Sequence, residues 1–124
     1  MKVGDTFIWF LSGKKEHLYV ALTDPDKNEG KFAVFNLTDS VHGTMSFTLH
    51  KGDHPYINKD SDVDFGDSFI MSIEKYETAV RWGQAIPREP MDMKIVAKIA
   101  EIIMAGHPAP SGDVTNLVKS QWRK

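Results

Sequence analysis

A mainly-β domain, a small barrel with helices packed at its C-terminal end, is the fold class this sequence predicts. Three observations predict it. The first half carries short aromatic and β-branched runs, separated by clusters of Gly, Pro, Asp and Asn where a backbone reverses. Met45, Phe47 and Leu49 alternate with Ser46, Thr48 and His50, a period of two that gives one buried and one wet face. After residue 90 the period becomes three and four, with Ile95, Ile99 and Ile102 joined by Val96 and Ile103 on one stripe.

The elements follow in order. Thr6 to Leu11 reads as the first strand, bounded by Gly4-Asp5 and Ser12-Gly13. Leu18 to Thr23 is the second, running into the turn-rich stretch Asp24 to Gly30. Lys31 to Thr38 is the third, the alternating segment around Phe47 the fourth, and Ser68 to Ile73 a fifth. Between the last two, Asp60, Asp62, Asp64 and Asp67 read as an exposed acidic loop. Glu74 to Trp82 suits a short helix, with Pro87 and Pro90 beyond it. Met91 to Ala105 is the strongest helix, stopped by Gly106 with Pro108 and Pro110 following. Ser111-Gly-Asp113 introduces a weaker helix, Val114 to Trp122. The expected organisation is one domain: residues 1–106 form the barrel and its closing helix, and 107–124 a short C-terminal helix or tail of the same unit.

Composition excludes several functions. With 41 % hydrophobic and 26 % charged residues in 124, the chain is globular rather than disordered. It has no cysteine, which removes thiolate catalysis, zinc-thiolate sites, iron–sulfur clusters and disulfides together. The formal net charge of −2 lacks the strongly basic footprint of many nucleic-acid binders. Charge is nevertheless uneven: residues 51–80 hold three Lys against seven acids, and residues 81–124 hold seven Lys and Arg against four. The apolar run Phe7 to Leu11 is too short for a signal segment, and Asp92, Lys94, Lys98 and Glu101 interrupt Met91 to Met104, so a cytoplasmic protein without membrane contact is expected. No P-loop, dinucleotide or nucleophile-elbow pattern occurs. Asp60-Ser-Asp-Val-Asp64 lacks both the Gly and the closing Glu of a calcium loop, because Met71 stands at the twelfth position. The five His show no metal-ligand spacing, so no metal and no cofactor is expected.

Two loops carry the candidate chemistry. Lys14-Lys-Glu-His17 joins the first two strands and combines cations with an imidazole, the side chain best suited to proton transfer near neutral pH. Thr38-Asp39-Ser40 closes the third strand and offers two hydroxyls. His54 lies in another loop beside charged groups.

In order and pattern these features resemble the MazF/PemK-type toxins, whose fold is a CcdB-like, SH3-like barrel. Val3-Gly-Asp-Thr-Phe-Ile-Trp-Phe10 is similar to the opening strand of that family. The charged loop Lys14 to His17, the strand Leu18 to Thr23 running into Asp24-Pro25, the strand ending Phe35-Asn-Leu-Thr-Asp-Ser40 and the helix Ile95 to Gly106 follow in the family's order. Lys51-Gly-Asp-His-Pro-Tyr-Ile57, with Ser61, resembles a segment of divergent relatives.

The resemblance implies an SH3-like barrel that binds or cleaves single-stranded RNA without a metal, by attack of the 2′-hydroxyl on the adjacent phosphate. It implies His17, Thr38 and Ser40 as catalytic residues, Lys14 and Lys15 as phosphate ligands, and His54 with Ser61 as a second pair near the substrate. It further implies a homodimer and an antitoxin-like partner. The family's Arg-Pro before the second strand reads His17-Leu18 here. An ammonium on Lys14 or Lys15 does not reproduce a guanidinium fork. That departure sustains an alternative, a catalytically inactive SH3-like protein-interaction module associated with phage or mobile elements.

Overall fold

The structure is a computed structural model that describes residues 1–10, 16–38 and 47–123. It contains six strands: β1 (Thr6–Trp9), β2 (His17–Ala21), β3 (Lys31–Thr38), β4 (Thr48–Leu49), β5 (Ser61–Ser72) and β6 (Ala85–Arg88). Three helices accompany them: α1 (Ile73–Arg81), α2 (Met93–Met104) and α3 (Gly112–Trp122). A single 3₁₀ turn, Pro25–Lys27, lies in the β2–β3 connection.

All strand pairs are antiparallel, in the spatial order β4-β5-β3-β2-β1-β6. The sheet curls into a half-barrel, with β4 and β6 as its edges among the described residues, where the sequence suggested a small barrel. Its edges give the reason. β4 has only two residues. β6 contains Pro87, which has no N–H to give to a further strand.

The sheet is apolar on both faces, because successive side chains point opposite ways and both sets are hydrophobic here. Ile8, Leu18, Val20, Ala33, Phe35, Leu37 and Val63 face α2 and α3 and form one core with Val96, Ile99, Ile103, Val114 and Val118. Phe7, Trp9, Tyr19, Phe32, Val34 and Met71 face the other way and pack with Ala79 of α1. There the rings are in mutual contact: Phe7 stacks on Tyr19 at 5.5 Å between centroids, and Tyr76 of α1 meets Phe7 edge-on at 4.9 Å.

Each helix starts on the cap its sequence supplies. The side chains of Ser72, Asp92 and Ser111 accept from the backbone N–H of Lys75, Lys94 and Val114. Gly106, at φ +105°, takes the left-handed turn that ends α2. The 107–124 segment, read from sequence as helix or tail, contains α3. Val114 and Val118 are buried in the core with α2, and Trp122 Nε1 donates to the Leu22 carbonyl at 2.7 Å.

Two expectations change. The acidic run is not a loop: Asp62 and Asp64 lie within β5, paired to Thr38 and Asn36 of β3, and Asp62 is fully buried. The expected strand Ser68 to Ile73 is therefore not a separate fifth strand: Ser68 to Ser72 are the second half of β5, and Ile73 opens α1. The two halves are joined through an irregularity where two steps along β3, Val34 to Asn36, match five along β5, Phe69 to Asp64. The second change is β6, which the sequence did not suggest. Among the described residues no helix is long and apolar enough to cross a membrane.

Candidate functional site

A cleft of about 340 Å³ opens where the start of β2, the end of β3 and the turn leading into β5 converge. Leu18, Leu37 and Ile57 form its apolar floor and are buried in the core beneath. Fixing those three side chains inward places their chain neighbours at the mouth. Glu16 and His17 come from β2 and its approach; Tyr56, Asn58 and Lys59 come from the turn, and Ser61 from the start of β5. One imidazole, one carboxylate, one ammonium, two hydroxyls and an amide thus share a space of single-nucleotide size, a mixture suited to an ionic or phosphate-bearing ligand.

The tautomer of His17 follows from its partner. Its Nδ1 lies 3.1 Å from the Leu37 carbonyl oxygen, which can only accept. Nδ1 therefore carries the proton, and in the neutral ring Nε2 holds the lone pair, the arrangement of a proton acceptor. Glu16 is steadied by Tyr56, whose hydroxyl donates to Oε1 at 3.2 Å, and the Arg88 guanidinium sits 5.5 Å from the Tyr56 ring centroid. Ser61 Oγ donates to the Lys59 carbonyl at 3.1 Å, which holds the turn's last residues together.

The sequence-derived candidates separate on this geometry. His17 and Ser61 are brought into the same cleft. Thr38 follows Leu37 on β3, stands across from Asp62 of β5 and does not line the cleft. His54 is not at the mouth; it is 2 % exposed and serves the turn from below. Its Nδ1 accepts from Tyr56 N at 3.0 Å, so Nε2 carries the proton and donates to the Glu89 carbonyl, beside Thr6 Oγ1 at 3.4 Å. The expected pairing of His54 with Ser61 is therefore not formed: burial turns His54 into a strut that shapes the loop on which Ser61 stands. Lys14, Lys15 and Ser40 lie outside the described residues.

Glu16, Tyr56, Asn58 and Lys59 complete the cleft and were not singled out from sequence. Glu16 and Tyr56 stood within quoted motifs, but only the β2–β3–β5 pairing shows that those motifs meet. Elsewhere His50 holds its proton to higher pH than an ordinary imidazole, chiefly through its 2.9 Å hydrogen bond to Asp60. Tyr19 and Tyr76 are pushed up, in each case first by burial, then by Asp67 and Asp5 respectively. Among the described residues, no group of three or more His, Cys, Asp or Glu is placed to hold a metal ion. A second, more open cavity of about 610 Å³ lies between β5, α1 and α3, but it lacks a comparable set of proton-transfer groups. Comparison with protein-family profiles, with curated proteins and with solved structures returns no match for this chain.

Proposed function

We propose that this protein is a MazF/PemK-like, SH3-like half-barrel that binds single-stranded RNA at the β2–β3–β5 cleft and cleaves it without a metal. The observation that carries this reading is the convergence of His17, its lone pair on Nε2, with Lys59 and Ser61 in one nucleotide-sized cleft. In the step proposed, Nε2 takes the 2′-hydroxyl proton while the 2′-oxygen bonds to phosphorus. The bond from phosphorus to the 5′-oxygen breaks, and that oxygen takes a proton from solvent. The products are a 2′,3′-cyclic phosphate and a 5′-hydroxyl. Lys59 supplies positive charge to the phosphorane and Ser61 a hydroxyl, with Lys14, Lys15 and Ser40 contributing from the flanking segments. A homodimer and an antitoxin-like partner belong to the same proposal.

The test is cleavage of a mixed-sequence single-stranded RNA in EDTA. Wild type is expected to cut, and His17→Ala to cut about 10²–10⁴-fold more slowly with an unchanged thermal midpoint. Intact RNA with folded wild type would end the nuclease reading. The second reading, a non-catalytic interaction module, draws on Phe10 and Ile86, which are 42 % and 44 % exposed at the β6 edge. It expects partner binding that Phe10→Ser weakens and His17→Ala leaves alone.

A further inference from the structure

On the face of the sheet turned away from α2 and α3, two buried oxygens have no hydrogen-bond partner: Asn36 Oδ1 and Asp62 Oδ2. Asn36 is 2 % exposed and Asp62 fully buried. Their neighbours Leu37 and Val63 enter the core under α2 and α3, so alternation turns Asn36, Asp62 and Asp64 to the other side. The strand register brings them close: Asn36 stands directly across from Asp64, and Asp62 is the next residue along β5 on the same face. Asp62 Oδ1 accepts from Thr48 Oγ1 at 2.6 Å, and Asp64 Oδ1 accepts from Asp67 N at 3.2 Å, so each carboxylate is oriented through one oxygen and keeps the other.

A fully buried carboxylate with one empty oxygen is costly, and a folded chain offsets that cost with a donor or a counter-charge. A bridging water would supply two protons and leave the charge uncompensated. The charge decides between them. Asp62, Asp64 and Asp67 gather at this corner, and among the described residues no ion pair reaches any of the three. We propose that Asn36, Asp62 and Asp64 bind an oxygen-preferring divalent cation on this face of the sheet. The donor set is two carboxylates and an amide oxygen, with water completing the shell, the ligand chemistry of Ca²⁺, Mg²⁺ or Mn²⁺ rather than of a thiolate- or imidazole-seeking ion. The site would pin β3 to β5 beside the irregularity in β5. It is independent of the nuclease reading, because it uses none of the cleft residues.

The test uses the full chain, stripped with EDTA and dialysed, then titrated separately with Ca²⁺, Mg²⁺ and Mn²⁺ at constant ionic strength. At a hundredfold excess over Kd the wild-type thermal midpoint is expected to rise by roughly 5–10 °C. Asp62→Asn should weaken binding at least tenfold by calorimetry, and Asn36→Asp, which adds a charge to the same position, should tighten it. Circular dichroism in EDTA establishes that each variant is folded; if Asp62→Asn is not, Asp64→Asn and Asn36→Asp carry the comparison. Absence of any cation response in wild type, or equal responses in wild type and the folded variants, would overturn the proposal. RNA cleavage in EDTA is expected to persist in Asp64→Asn whatever the cation result.

Discussion

His17 and His54 are the same residue type in loops of similar composition, and the fold gives them opposite tasks. His17 donates from Nδ1 to one carbonyl and keeps Nε2 for chemistry. His54 uses both nitrogens, accepting from Tyr56 N and donating to the Glu89 carbonyl. Replacing His54 by Ala leaves the part-buried Tyr56 N–H without its acceptor, while the Glu89 carbonyl keeps Thr6 Oγ1 as a donor at 2.7 Å, and the expected loss is about 1–3 kcal/mol. Urea denaturation would show it as a lower midpoint with an unchanged slope, whereas His17→Ala should leave the midpoint where it is. Nothing local in the sequence distinguishes the two. His54 is buried by Thr6 and Glu89, which lie 48 and 35 residues away, and no window around Pro55 contains that information. Asp62 is the same lesson with the sign reversed: an acid in an acidic run reads as solvated until its strand is paired.

At the level of elements, what was legible depended on whether an element's own residues determine it. β3 spans Lys31–Thr38 as its turn residues and β-branched run indicate, and α2 fits within the Met91 to Ala105 stripe. β6 was not legible, because Pro87 and Pro90 read as breakers and only β1 supplies the ladder that makes Ala85–Arg88 a strand. Half the cleft was visible for the same reason: the His17 loop is a local motif, while Lys59 and Asn58 join it only through strand pairing. The position of Pro87 has a testable consequence. Phe10 N donates to the Gln84 carbonyl, so Gln84 and Ile86 face β1, and Pro87 faces outward on the free edge. Pro87→Val restores an outward donor beside exposed Ile86. Sedimentation should then show concentration-dependent association greater than that of wild type.

On the scale of the whole molecule, one sheet serves two cores, and they are unequally supported. Among the described residues the α2–α3 side collects eighteen buried residues and the α1 side nine, so the larger cluster is expected to set global stability. Ile99 is fully buried at its centre. Ile99→Ala is expected to cost about 2–5 kcal/mol by denaturant unfolding, enough to remove much of the stability of a domain this size. Phe10→Ser on the surface should change it by less than about 0.5 kcal/mol. The mainly-β class with C-terminal helices was readable from periodicity, since each layer announces its own period. The open edge and the two-sided burial were not, since they depend on which strands pair.

The side chain of Asp24 accepts from Val3 N at 2.7 Å and from Gln121 Nε2 at 3.1 Å, and its own N–H donates to Gln121 Oε1. One carboxylate therefore clasps residues 118 positions apart in a sequence of 124. During synthesis β1, β2 and β3 can pair as soon as they emerge, but this clasp waits until residue 121 has left the ribosome, 97 positions after Asp24. Until then Leu22 also lacks the Trp122 donor, and the apolar stripe meant for α2 and α3 stays uncovered. The nascent chain is thus a sticky half-sheet for several seconds of translation. The order of manufacture, as much as the finished structure, makes this a protein that depends on its last helix to become inert.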